Sequence, residues 1–90
     1  MGISNLERIF KALASKRRLV IIRLIGEKRE MSVGDIANQI KLSLKATSKH
    51  LIILQQAGFI EREQKKFVGI YSLSQNLDND TRYLIRFITK

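Results

Sequence analysis

The sequence predicts a mainly α-helical chain with one small β-hairpin, in the order helix, helix, helix, helix, strand, strand, helix. Three observations carry that expectation. Apolar residues recur every three or four positions through most of the chain, the spacing that lines one face of a helix. Ser15, Ser32, Ser43 and Asp78 stand just ahead of such runs, where a side-chain oxygen satisfies the free amides of a first turn. Between residues 59 and 74 β-branched and aromatic residues take over, as in paired strands.

Each element can be justified in turn. Ser4-Asn5-Leu6-Glu7 fits a capping box, the serine accepting from the amide three residues on and the glutamate reaching back. Ile3, Leu6, Ile9, Phe10 and Leu13 then share a face, giving a first helix over about 4–14. Ser15 caps a second helix, which carries Leu19, Ile21, Ile22, Leu24 and Ile25 and is expected to end at Gly26. Glu27–Met31 is charged and reads as a connection. Ser32-Val33-Gly34-Asp35 opens a short third helix through Ile36, Ala37 and Ile40. Lys41-Leu42 is a turn, and Ser43 begins a fourth helix that Gly58 closes. The third and fourth helices, about 33–57, form a helix-turn-helix.

Two strands follow, Phe59–Gln64 and Val68–Ser74, parted by Lys65-Lys66-Phe67. This hairpin, about 59–74, stands where a wing would. Gln75–Asp80 is loop-like, and the last helix, about 79–89, carries Tyr83, Leu84, Ile85, Phe87 and Ile88.

Ninety residues make one small domain, residues 1–90, near the lower size at which a single core holds without staples. With no cysteine, disulfides, thiolate metal sites and cysteine nucleophiles are excluded, and one histidine cannot build a histidine metal site. Neither a cofactor nor a metal is expected. The longest apolar runs, Leu19–Ile22 and Leu51–Leu54, fall far short of a membrane span. The N-terminal segment reads as an amphipathic helix rather than a secretory signal, so a cytoplasmic location is expected. Paired carboxylates, a nucleophile–base pair and a glycine-rich phosphate loop are all missing at useful spacing, so no enzyme is expected. Asp78 and Asp80 are explained as charges at a helix start.

Seventeen Lys and Arg against eight Asp and Glu give a formal charge of +9. Such a chain attracts polyanions, nucleic acid first among them, although a basic surface also suits a ribosomal or membrane-surface protein. The fourth helix sharpens the choice. Its first half is small, polar and basic, with Lys45, Thr47, Ser48, Lys49 and His50; its second half is apolar, and it has no acid. A helix anchored at one end and presenting short donors and cations at the other suits a DNA major groove.

Lys16, Arg17 and Arg18 crowd the first turn of the second helix, where the helix dipole disfavours cations by a few tenths of a kcal/mol each, up to ~1. They make sense if a phosphate docks there. Lys16 and Arg17 are the expected contacts, whereas Arg18 is expected to turn inward toward an acid such as Asp35 or Glu7. Arg62, Lys65 and Lys66 on the wing either follow a DNA backbone or form an ordinary polar tip, with Glu61 and Glu63 weakening the first reading. The last helix is apolar on more than one side: Leu84, Ile85 and Ile88 on one, Tyr83 and Phe87 on another. Such a helix wants a second partner, either its own core or a second protomer.

Taken in order, these marks resemble the ArsR-type (ArsR/SmtB-like) winged helix-turn-helix transcriptional regulators. The resemblance runs from about Leu6 to Leu73. It rests on Ala12-Leu13-Ala14-Ser15-Lys16-Arg17-Arg18-Leu19, Val33-Gly34-Asp35-Ile36-Ala37 and Leu42-Ser43 through Ser48-Lys49-His50-Leu51 and Leu54. Ala57-Gly58-Phe59-Ile60 and Ile70-Tyr71-Ser72-Leu73 complete the series. It implies that Lys45, Ala46, Ser48, Lys49 and His50 occupy positions facing DNA. Ser43 is an N-cap that can also donate to a phosphate. His50 is either a contact or a half-buried support for the helix. The family position of Leu44 is usually polar, so leucine there departs from the pattern.

The resemblance further implies a homodimer through the terminal helices, with Ile3, Leu6, Phe10, Tyr83, Leu84, Phe87 and Ile88 as the interface. Such a dimer would read a pseudo-palindromic duplex, as a repressor. Metal-sensing members carry a Cys-Val-Cys-like pattern on the third helix, where this chain has Ser32-Val33-Gly34, or acidic and histidine ligands on the last helix, where Asp78–Lys90 has no histidine. A member that does not sense metal is therefore expected. An architectural DNA-binding protein or a protein-docking winged helix is the competing expectation.

Overall fold

The computed structural model describes residues 1–90. Five helices, α1 (Ile3–Leu13), α2 (Lys16–Lys28), α3 (Val33–Ile40), α4 (Leu44–Gln56) and α5 (Asn79–Ile88), surround a three-stranded antiparallel sheet. Its strands are β1 (Met31–Ser32), β2 (Ile60–Lys65) and β3 (Val68–Leu73), with β3 in the middle. Four of the five expected caps form. Ser15, Ser32 and Ser43 accept from the amides of Arg18, Asp35 and Ala46 at 3.3, 3.1 and 3.1 Å, and Asp78 from that of Thr81 at 2.7 Å. Gly58, at φ 88°, ends α4 as expected. The amide of Phe59 reaches the Leu54 carbonyl and that of Gly58 the Gln55 carbonyl, both at 3.0 Å. That double bond turns the chain sharply and delivers Phe59 into the core.

Several expectations are corrected. The Ser4 capping box does not form: α1 begins at Ile3, its cap residue is Gly2, and no side chain caps it. The Gly2 carbonyl already accepts from Leu6, so Ser4 lies inside the first turn. Gly26 does not end the second helix, which continues to Lys28 and closes on Arg29 at φ 75°. Gly26 instead permits a close approach, since a Cβ there would lie 2.9 Å from Thr89 Cγ2 at the end of α5. Glu27–Met31 is not a plain connection. Its last residue opens β1, an element absent from the expected order, which pairs Met31 with Tyr71 and Ser32 with Ile70. Two residues contain no alternation to read, so β1 exists only because β3 passes beside it. The hairpin turn is Lys66-Phe67 alone, because Lys65 pairs with Val68 as the last rung of the ladder.

One cluster of 14 buried residues draws on every element, with Ile21, Ile22, Ile25, Ile36, Leu51, Leu54 and Phe59 fully enclosed. Truncating any such side chain to alanine costs roughly 2–5 kcal/mol. Arg23 of α2 ties down α5 by donating from Nε to the Ile88 carbonyl at 2.7 Å. No helix is long and apolar enough to cross a membrane. Because β1 covers β3 only at Ile70 and Tyr71, the outer hairpin is two-stranded, and Glu61–Val68 are all exposed.

Candidate nucleic-acid interface

The sequence of α4 divides its faces. Thr47, Leu51 and Leu54, spaced i, i+4 and i+7, are buried. They fix the helix against α2 and α3. That rotation leaves Lys45 and Lys49 fully outward, with Ala46 and Ser48 partly exposed between them. Leu44 is 59% exposed at the helix start. The Ser43 oxygen is committed to the Ala46 amide, but its hydroxyl hydrogen stays available to an outside acceptor.

A second cationic site lies at the start of α2. Lys16 and Arg17 are exposed there, and the first turn has no acid. The three ion pairs of the molecule join Lys11 to Glu7 and Lys65 to Glu30 and Glu63. Lys16, Arg17, Lys45, Lys49 and Lys66 therefore have no acidic partner. Together with the α4 hydroxyls they offer point charges and short donors to a polyanion.

Arg18 turns inward as expected, but not to an acid. Its Nε donates to the Ala12 carbonyl at 2.6 Å and one Nη to that of Lys11 at 3.1 Å. The other Nη lies 3.1 Å from His50 Nδ1. The carbonyls belong to the last turn of α1, where the helix dipole welcomes a cation. Since the guanidinium only donates, Nδ1 must accept, which places the imidazole proton on Nε2. Burial, then the charges of Arg18 and Arg17, hold the His50 pKa below its ordinary value. His50 is thus neutral and half-buried, joined from α4 to Arg18 of α2, which in turn holds the end of α1, and its Nε2 alone is free to meet another group. Sequence reasoning missed this link because its partners lie 32 residues apart.

The wing disperses its three expected contacts. Lys65 donates to both carboxylate oxygens of Glu30 at 2.9 and 3.2 Å, which raises its pKa. Arg62 donates to Gln64 Oε1 at 2.7 Å and lies flat over Gly69, where any side chain would strike it. Only Lys66 remains uncommitted. On the terminal helices Ile3, Phe10, Tyr83 and Phe87 are 56–81% exposed, whereas Leu6, Leu84 and Ile88 are half-buried.

Residues 15–62 match the model of the bacterial regulatory protein arsR family. The chain is 33% identical over 86 residues to the transcriptional repressor SdpR of Bacillus subtilis, covering 94% of each. It is 33% identical over 66 residues to the transcriptional activator HlyU of Vibrio cholerae, covering 73% of this chain but only 60% of that one. Among solved structures, a homodimeric winged helix-turn-helix DNA-binding domain from Mycobacterium bovis superposes with a TM-score of 0.82 at 27% identity, covering 96% of this chain and 76% of that one.

Proposed function

Because the chain belongs to the ArsR family of bacterial regulatory proteins, and so is a transcriptional regulator with a winged helix-turn-helix DNA-binding fold, we propose that it acts as a homodimeric, sequence-specific repressor. The observation that carries this reading is the outward face of α4. Its buried stripe aims Lys45, Ser48 and Lys49 away from the body, and no acid stands among them. In the proposal α4 enters the major groove, where a lysine reaches guanine O6/N7 or a phosphate, and Leu44 and Ala46 meet thymine methyl groups. Lys16 and Arg17 hold phosphates at the start of α2, Ser43 adds a donor, and Lys66 reaches the backbone from the wing. Arg62 and Lys65 join only by releasing Gln64 and Glu30. His50 acts chiefly by steadying α4.

Residues 1–90 act as one DNA-binding unit, with α1 and α5 as its dimerisation helices. Supporting this are the exposed Ile3, Phe10, Tyr83 and Phe87, flanked by Leu6, Leu84 and Ile88. A two-fold dimer places its α4 helices about one helical turn of DNA apart, ~34 Å, and so reads a pseudo-palindrome. Repression is favoured because the repressor relative matches over nearly its whole length. No metal is required in this reading. The chain has no cysteine, and no three metal-ligating side chains come together.

The short apolar side chains of Leu44 and Ala46 favour a second reading, a DNA-binding protein of weak specificity. Selection from a random duplex pool followed by competition decides between them. A specific regulator keeps its selected site against equimolar random duplex; displacement by that competitor removes sequence specificity from the proposal.

A further inference from the structure

We propose that Phe67, at the apex of the wing, is a DNA wedge whose ring enters the minor groove and unstacks a base step. The inference rests on the DNA-binding reading above and assigns a role to a residue that reading leaves out. Phe67 is 97% exposed, more than any other large apolar side chain of the molecule. Scattered exposed apolar residues are normal on a protein surface. This ring, however, stands at the second position of a two-residue hairpin turn, at the far tip of the wing, while the left-handed position that favours asparagine or glycine is Lys66.

The turn is stiffened from below. Lys66 holds a left-handed φ of 55°. Its carbonyl accepts from Gln64 Nε2 at 3.3 Å, and Gln64 Oε1 accepts from Arg62. The Arg62 guanidinium rests over Gly69, so the relay runs along one face of the hairpin. With no side chain at residue 69, the Arg62 guanidinium can lie against its own hairpin. The relay orders the backbone of the turn rather than the ring, so the tip loses less backbone freedom when it docks.

The local charge selects the partner. Lys66 beside the ring has no acidic partner, and the half-exposed Val68 widens the apolar tip. Glu61 and Glu63 project from the hairpin face opposite to Arg62 and Gln64, away from the relay. A cation next to a bare aromatic suits a groove walled by phosphates, whose floor and sugars offer apolar surface. Phenylalanine has no polar atom with which to read a base edge. It acts by insertion, with unstacking offset by new contact with the ring, and prefers the weakly stacked pyrimidine–purine steps. One ring on a narrow tip is far too small to form a protein interface alone.

The test uses the full chain and a duplex that the wild-type protein selects from a random pool, with 2-aminopurine placed in turn at each adenine and a donor–acceptor dye pair on the ends. Wild-type protein is expected to raise 2-aminopurine emission at one step in each arm of the footprint and to bring the ends together. Phe67→Ala should abolish both signals and weaken binding roughly tenfold, without changing the salt slope, because it removes no phosphate contact. Phe67→Trp should restore the emission. Lys66→Ala should reduce the salt slope by about two, one for each wing of the dimer. Tight binding by wild type with silent 2-aminopurine everywhere, or equal affinity and bending in Phe67→Ala, overturns the wedge and leaves the DNA reading intact; equal affinity would point to a protein partner for the ring. Failure of the wild-type protein to bind any duplex overturns the DNA reading itself, and the wedge with it.

Discussion

Thr47 and His50 sit one turn apart in α4, and the structure gives them opposite polar fates. Thr47 is fully buried, and its hydroxyl has no hydrogen-bond partner in the protein. An unpaired buried hydroxyl costs about 1–3 kcal/mol, while an apolar side chain of the same shape does not incur it. Thr47→Val should therefore raise the unfolding free energy by about 1 kcal/mol in urea titration, with DNA affinity unchanged. A loss of similar size would show that the hydroxyl is satisfied. His50, by contrast, is bonded to Arg18 and held neutral by burial and by the neighbouring cations. The unfolded chain takes up this proton before the folded one, so stability rises with pH between the depressed folded pKa and 6.5. The contribution is fully present above 6.5 and is lost as the pH falls through the folded value. Replacing His50 with Gln should flatten that part of the stability–pH curve. Asp78 acts in a separate, more acidic window, because the Thr81 amide holds its carboxyl below 3.8.

At the scale of elements, the start of α2 combines the clearest local signal with a testable consequence. Ser15 caps it, and Lys16 and Arg17 face solvent without acidic partners. If each holds one phosphate in both protomers of the dimer, Lys16→Glu with Arg17→Glu should lower the magnitude of the salt slope by about 4 and weaken binding to all duplexes alike. An unchanged slope in fluorescence anisotropy would take α2 out of the interface. The caps at Ser15, Ser32, Ser43 and Asp78 were legible because each involves an amide only three residues away. The same locality misleads at Ser4, where the sequence fits a cap but the helix starts one residue earlier. Gly26 shows the opposite case. A glycine near a helix end reads as a terminator, yet here it makes room for Thr89, a residue of a distant helix.

For the whole molecule, α1 and α5 carry four exposed large apolar side chains, Ile3, Phe10, Tyr83 and Phe87, that the DNA-binding face does not use. Phe87 is 65% exposed and lines a cleft against Leu19 and Val20 of α2. Phe87→Asp leaves the chain's own core intact but sets a charge on the proposed dimer face. Light scattering should then report monomers, with operator affinity reduced at least tenfold because two half-sites no longer bind together. A persistent dimer would move the interface elsewhere. By itself the sequence determined the helices, four of their caps, the hairpin, the cation-rich start of α2 and the acid-free start of α4. All of these depend on relations within about one helical turn or on strand alternation, which a linear chain displays directly. Tertiary structure alone decided β1, the role of Gly26, the Arg18–His50 link and the capture of Lys65 by Glu30. The partners in those two contacts lie 32 and 35 residues apart. They meet only when burial of the shared core brings their elements together. Charge composition therefore revealed which residues suit a polyanion, and packing decided which of them remain free to meet one.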